Sequence, residues 1–390
     1  MRIVCLALGF AVACGGSTGK PDAPPSDGFD RNALLGNLAN QVLLPLQTRF
    51  ADAAAQLPPA IAAYCDALDR GDAEPPLAAA RSSWAAALDA WQAADALLVG
   101  PAAMDNRALR DRIYGWPLVS TCGLDRDTAS SFADPASYDP GKQLGNVRSL
   151  AAVEYLLHTR DTAHTCATPP TGWDALAAHL PVARCRRALA IARDVAASAV
   201  TLATAWRADG GNYVTQLAEA GRTGSAIASA QEAVNRISDG MFYVDRMVKD
   251  MKLAEAAGIA VNACGSVGEP CEREVELRYA DRASFAIRTN LVALRQAFTG
   301  TTAASDGPGF DDFLSALGHA DVAARMVGRL DAAISAADAL PDSFLSALTT
   351  AYPQVVAAHH AVDLFTDDLK SQFLTLLALE IPDDVATDND

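Results

Sequence analysis

The sequence predicts an all-α protein, and three observations carry that reading. Hydrophobic residues make up 51% of the 390-residue chain, with Ala and Leu supplying most of them. Val, Ile and the aromatic residues do not gather into alternating runs, so strand signals are almost absent. Apolar residues instead recur at offsets of three, four and seven over long stretches, the period of a helix with one buried face.

Asn32 to about Leu68 reads as one long helix or two nearly continuous ones, with Leu35, Leu38, Val42, Leu46 and Phe50 on one stripe and a kink at Pro58-Pro59. Pro75-Pro76 opens a second helix, with Leu77, Ala80, Trp84, Leu88 and Trp91 facing a core. Gly100 to Gly145 reads as a long irregular connection, of the kind that tends to carry function. The segment from Gly145 to His158 reads as a third helix. A fourth runs from about Pro181 to Arg207, completing a first bundle.

Asp209-Gly210-Gly211-Asn212 is the expected hinge. Beyond it, helices are expected over Gly224–Glu255, Glu272–Phe298, two shorter pieces from Gly309 to Ala339 broken near Gly318-His319, and Pro341 to about Ala378 with a kink at Pro353. The expected organisation is a signal peptide at 1–13, a lipidated Cys and tether at 14–30, a first helical bundle at 31–210, a second at 211–380, and an acidic tail at 381–390.

The N-terminus is read as an export signal. Met1-Arg2 gives a small positive region, and Ile3 to Val12 is apolar but too short to span a bilayer. Ala11-Val12-Ala13-Cys14-Gly15-Gly16 then has the pattern of a bacterial lipobox, with Cys14 as the lipidated residue and an ordinary secretory signal as the competing reading. Gly after that Cys favours the outer membrane. Six cysteines remain, Cys65, Cys122, Cys166, Cys185, Cys264 and Cys271, an even number that suggests disulfides in an exported chain. Cys264 with Cys271 is the first expected pair, across a short flexible turn, and Cys166 with Cys185 the next. Fifteen pairings are open to six cysteines, and sequence does not choose among them.

The formal net charge is −16 and no basic stripe interrupts it, which excludes nucleic acid as a partner. The sharpest chemical feature is Glu154. It shares a helix face with Val147, Leu150, Ala151 and Leu157, so a carboxylate lies within an apolar stripe where an unpaired charge is costly. His158 follows one turn on, at i+4. A core glutamate held by a nearby Arg competes with a binding-site reading.

Several stretches together resemble the imelysin family of bacterial envelope proteins. They are Ala78 to Trp84 followed by Val99-Gly100-Pro101, Arg112 to Pro117, Ser149 to Leu157, Glu276 to Ser284, Thr289-Asn290-Leu291, Phe298-Thr299-Gly300 and the acidic close Asp388-Asn389-Asp390. The resemblance covers roughly Arg31 to Asp390. It implies two four-helix bundles related by internal pseudo-symmetry with a site between them, and a function proposed either as a metallopeptidase or in iron acquisition. The family's Gly-x-His-x-x-Glu motif is degenerate here: Ser149 stands at the Gly position and Ala151 at the His position, and Glu154 alone is kept.

On that resemblance, Glu154, His158 and Glu276 are expected to hold a divalent or ferric metal ion, or to contact a small ligand, with the carboxylates as hard oxygen donors. Arg112, Trp116, Ser284 and Asn290 are expected to line the same site, Arg112 pairing with an anionic group. The leading expectation is a lipid-anchored envelope protein binding a metal ion or small ligand between two bundles, with iron-uptake or other envelope proteins as partners. A scaffold for another envelope protein, its metal site decayed, is the alternative. Peptidase chemistry has less support, since no His-Glu-x-x-His occurs among the six His, which are His158, His164, His179, His319, His359 and His360.

Overall fold

The helices form where caps and apolar stripes coincide. Ser149 Oγ accepts from the Ala152 amide and starts Leu150–His158, Ser229 does the same for Ala230–Met241, and Pro occupies the first turn of Leu57–Leu68, Glu74–Asp95 and Leu180–Trp206. A computed structural model describes residues 27–382 except Ser137 and Ser266. The expected signal peptide, Cys14 and the acidic residues 383–390 lie outside the described residues.

Among the described residues the fold is all-α, with two isolated bridges in place of any sheet. Leu44–Ala55, Leu57–Leu68, Glu74–Asp95 and Leu180–Trp206 pack on one another as a first bundle, with Leu150–His158 laid against the last two. Val244–Glu255, Ala283–Thr299, Ala320–Asp338 and Tyr352–Asp368 form the second. The bundles meet where Ala283–Thr299 packs on Glu74–Asp95, and one continuous apolar core runs through both. Trp84 and Trp91 are fully buried in that core, as their stripe positions required. The Trp173–Trp206 stretch is long and apolar enough to cross a membrane by composition. Within the fold, however, it carries buried Arg184 and Arg187 and is tied to a neighbouring helix by a disulfide.

Three disulfides join Cys65 to Cys185, Cys122 to Cys166, and Cys264 to Cys271. The turn pair is the one expected; the pairing of Cys166 with Cys185 is corrected. Cys185 is buried on the Leu180–Trp206 helix, against the helix that bears Cys65. Cys166 lies in the loop that returns over the Thr121–Ala133 helix, whose first turn bears Cys122. The two half-cystines thus belong to different seams of the first bundle. Cross-links of this kind fit an extracytoplasmic protein.

Three element expectations also change. The irregular stretch from Gly100 to Gly145 contains the helices Ala108–Ile113 and Thr121–Ala133, the second capped by Ser120. The helix expected over Gly224–Glu255 divides into Ala230–Met241 and the π-helical Val244–Glu255. The helix expected from Glu272 begins only at Ala283. Residues 272–282 are non-helical because the Tyr279 and Ala280 amides bond to a side chain of the other bundle, and Leu277 and Asp281 adopt left-handed φ of 55° and 52°.

Candidate functional site at the bundle junction

The Leu150–His158 helix is fixed from both ends. Trp84 Nε1 donates to the Leu150 carbonyl at 2.8 Å, and Arg81 donates twice to the Leu157 carbonyl at 3.0 and 2.8 Å. Glu154 therefore leaves a rigid support and is 4% exposed. Its Oε1 accepts the Tyr279 amide at 2.9 Å and the Ala280 amide at 3.0 Å, both from the second half of the chain. Burial pushes this carboxyl up to about 8, against the pull of the two amides, while Glu276 adds to the rise and Arg278 opposes it.

A cavity of about 110 Å³ opens beside Glu154, walled by Tyr114 and Trp116 from the first half and by Arg273, Arg278 and Tyr279 from the second. That space suits a ligand of a few heavy atoms, or the end group of a larger one.

Glu276 is fully buried and lies just behind this cavity, its charge already answered. Lys252 Nζ is 3.0 Å from its Oε2, and Tyr114 Oη (2.5 Å) and Gln92 Nε2 (2.9 Å) donate to its Oε1. Lys252 also donates to Gln92 Oε1 at 2.9 Å and Asn290 Oδ1 at 2.6 Å. Asn290 Nδ2 returns to the Gln92 carbonyl at 2.7 Å. Burial lowers the pKa of Lys252 although Glu276 pulls it up, and burial beside Glu276 drives the Tyr114 phenol well above its ordinary value. A second buried pair stands next to the first: Arg110 grips Asp95 through both oxygens at 3.1 and 2.9 Å, and donates to the Trp116 carbonyl at 2.9 Å. Tyr243 Oη completes it, donating to Asp95 at 3.1 Å.

The sequence-derived candidates divide accordingly. Glu154 and Trp116 line the cavity; Glu276 and Asn290 belong to the sealed network behind it. His158 does not reach the cavity. Its ring packs on Trp84 with centroids 5.1 Å apart, its Nε2 has no hydrogen-bond partner, and burial, with Arg81 and Arg282 nearby, pushes it down to about 4. Arg112 is half-exposed and clamps Asp194 together with Arg148, and Ser284 Oγ donates to the Pro341 carbonyl at 2.7 Å. Neither lines the cavity. Arg110, two positions from Arg112, is the buried arginine of the junction. Sequence reasoning passed over it, along with Asp95, Gln92, Lys252 and Tyr243. For Arg110, Asp95 and Lys252 the one available signal was a charge within a helical apolar stripe, the same signal that exposed Glu154; Gln92 and Tyr243 offered none.

The donor set does not fit a resident metal ion. Glu154 has one oxygen committed to two amides and favours its protonated form, Glu276 is paired with an ammonium, and the His158 imidazole packs on a tryptophan. Among the described residues no group of three or more His, Cys, Asp or Glu side chains is placed to hold a metal.

Comparison with known proteins agrees with this architecture. Residues 44–370 match the family model described as Imelysin. Iron-regulated protein A of Synechococcus elongatus is 26% identical over 358 residues, covering 89% of this chain and 86% of that protein. An imelysin-like protein from Psychrobacter arcticum superposes with a TM-score of 0.67 at 16% identity, covering 90% of this chain and 96% of that one. A structure described as an iron-regulated protein A precursor from Parabacteroides distasonis gives the same TM-score at 17% identity, covering 92% and 96%. With the family model spanning most of its length, this chain belongs to the imelysin family.

Proposed function

We propose that this protein is a non-enzymatic binding protein of the bacterial envelope that holds a small polar ligand in the Glu154 cavity. The observation that carries the reading is the double role of Glu154, which joins the two halves of the chain through Oε1 and also walls the cavity between them. A carboxyl poised near neutrality donates a hydrogen bond when protonated and accepts one when ionised. Arg273 and Arg278 bring positive charge to the same wall, which Glu274 answers in part. A ligand with an oxygen acceptor, about the size of acetate, matches these groups better than a bare cation does.

The lipobox ending in Cys14 supports attachment to the outer membrane, facing the periplasm, and other envelope proteins are the natural partners there. The name of the cyanobacterial relative supports a physiological link to iron. In this reading the link lies in when the protein is made or what its ligand carries, since the junction lacks the donors for a bare ion.

The test is titration of the mature protein, followed by NMR, with acetate and acetamide and separately with ferric, zinc and calcium ions. Saturable binding of either organic probe, weakened at least tenfold by Glu154→Gln, supports the reading. Absence of binding by both organic probes overturns it, as does stoichiometric metal binding that Glu154→Gln abolishes.

A further inference from the structure

A further cavity, of about 280 Å³, lies at one end of the first bundle and shares no lining residue with the Glu154 cavity. Four helices meet there: Leu57–Leu68 and Leu150–His158 end at it, and Glu74–Asp95 and Leu180–Trp206 begin at it. Leu68, Leu77, Leu156, Leu157 and Leu180 give it an apolar floor. Arg160 and Glu74 pair with each other at its lip, where both are exposed. The other charged side chains of the wall are Arg184 and Asp161. The lining thus carries two charges of each sign, and a guest with net charge would enter without a counter-charge of its own.

The Cys65–Cys185 disulfide sets two polar groups against this floor. Its Cα atoms are 5.6 Å apart, and Tyr64 and Arg184 immediately precede the two half-cystines on packed helices. Both line the cavity. Arg184 is buried; its Nη1 donates to the Thr159 and Asp161 carbonyls at 3.0 and 2.7 Å, and its Nη2 makes a single bond, to the Ala163 carbonyl at 3.3 Å. One N–H of Nη2 is left uncommitted. Tyr64 is half-buried, and among the described residues its hydroxyl has no hydrogen-bond partner. Burial raises the phenol above its ordinary value although Arg160 and Arg81 pull it down, so the hydroxyl keeps its proton at neutral pH. A desolvated donor without a partner costs free energy, which an acceptor on a guest recovers.

We propose that this cavity binds a small uncharged carbonyl compound, its oxygen accepting from Tyr64 Oη and Arg184 Nη2 and its apolar body resting on the leucine floor. A carbonyl oxygen offers two lone pairs and no net charge, which matches two donors set in a charge-balanced wall. The volume is close to the lower bound of small-molecule sites, about 300 Å³. Because the disulfide fixes both donors before a guest arrives, little ordering remains to be done on binding.

Acetophenone is the probe, with acetone as the oxygen without the body, toluene as the body without the oxygen, and benzoate as the charged counterpart. Titration of the mature protein followed by NMR is expected to show saturable acetophenone binding, at least tenfold weaker for each of the three controls. Tyr64→Phe is expected to weaken it about fivefold with the melting temperature kept, the effect of one lost hydrogen bond. Ala178 is an exposed residue of the wall, so Ala178→Trp fills the cavity without entering the core and is expected to abolish binding. Absence of saturable acetophenone binding overturns the proposal, as does binding that survives Ala178→Trp or is unchanged in Tyr64→Phe. Any control that binds as tightly as acetophenone also overturns it: toluene would mark a purely apolar cavity, and benzoate an anion site.

Discussion

Lys252 Nζ sits 3.0 Å from Glu276 Oε2, and neither side chain has any exposed surface. A buried pair of this kind adds little net stability over an apolar pair, but removing one partner leaves a charge stranded. Lys252→Met is therefore expected to cost about 3–5 kcal/mol in chemical denaturation, the range for a broken buried pair. Lys252→Met combined with Glu276→Gln is expected to recover part of that loss. A double variant as unstable as the sum of the two single variants would show that the pair does not interact.

Arg110 and Arg112 are expected to separate cleanly. Arg110→Ala strands Asp95 in the core and is expected to destabilise by about 3–5 kcal/mol. Arg112→Ala removes a half-exposed partner from Asp194, which Arg148 still holds, so a loss within about 1 kcal/mol is expected. Equal effects in urea denaturation would contradict the assignment of the junction arginine.

Stability should fall as pH rises from 6.5 to 8. Glu154 is raised from its ordinary value to about 8, so in this window the folded chain keeps a proton that the unfolded chain has released. His158, lowered to about 4, acts in the opposite direction but only below its unfolded value near 6.5. The decline across the window is expected to be about 1–2 kcal/mol, from a limiting slope of about 1.4 kcal/mol per pH unit for one proton. Glu154→Gln should flatten it, as read from denaturation midpoints at each pH.

The three disulfides should contribute unequally. Opening the Cys65–Cys185 link frees a loop of 120 residues, against 7 for Cys264–Cys271. Chain-entropy estimates give about 5 and about 2 kcal/mol. Paired Cys→Ala variants compared by urea denaturation check the order; a larger loss at the short loop would contradict it.

Much of the fold could be read from the chain, because the helix stripes, Pro-initiated turns and Ser caps act locally. The Glu74–Asp95 helix opens within a residue of its expected start at Pro75, and Leu180–Trp206 falls within a residue of its expected bounds. Residues 272–282 could not be read so well. Their sequence is compatible with a helix, and what prevents one is a carboxyl 125 positions earlier that takes the Tyr279 amide. The same limit governed the site. Glu154 was visible as a charge in an apolar stripe, whereas Lys252, Gln92 and Asn290 become a network only once three distant segments meet. His158 lies at helical spacing from Glu154, yet spacing alone did not reveal that Trp84 takes its ring.

The most direct measurement is infrared difference spectroscopy of the Glu154 carboxyl in the mature protein, wild type against Glu154→Gln. A protonated-carboxyl band present in the wild type at pH 7, titrating near pH 8 and shifting when acetate or acetamide is added, is the expected result. A carboxylate already ionised at pH 6, or a protonated band that neither probe disturbs, would contradict a ligand-accessible, proton-holding acid at the bundle junction.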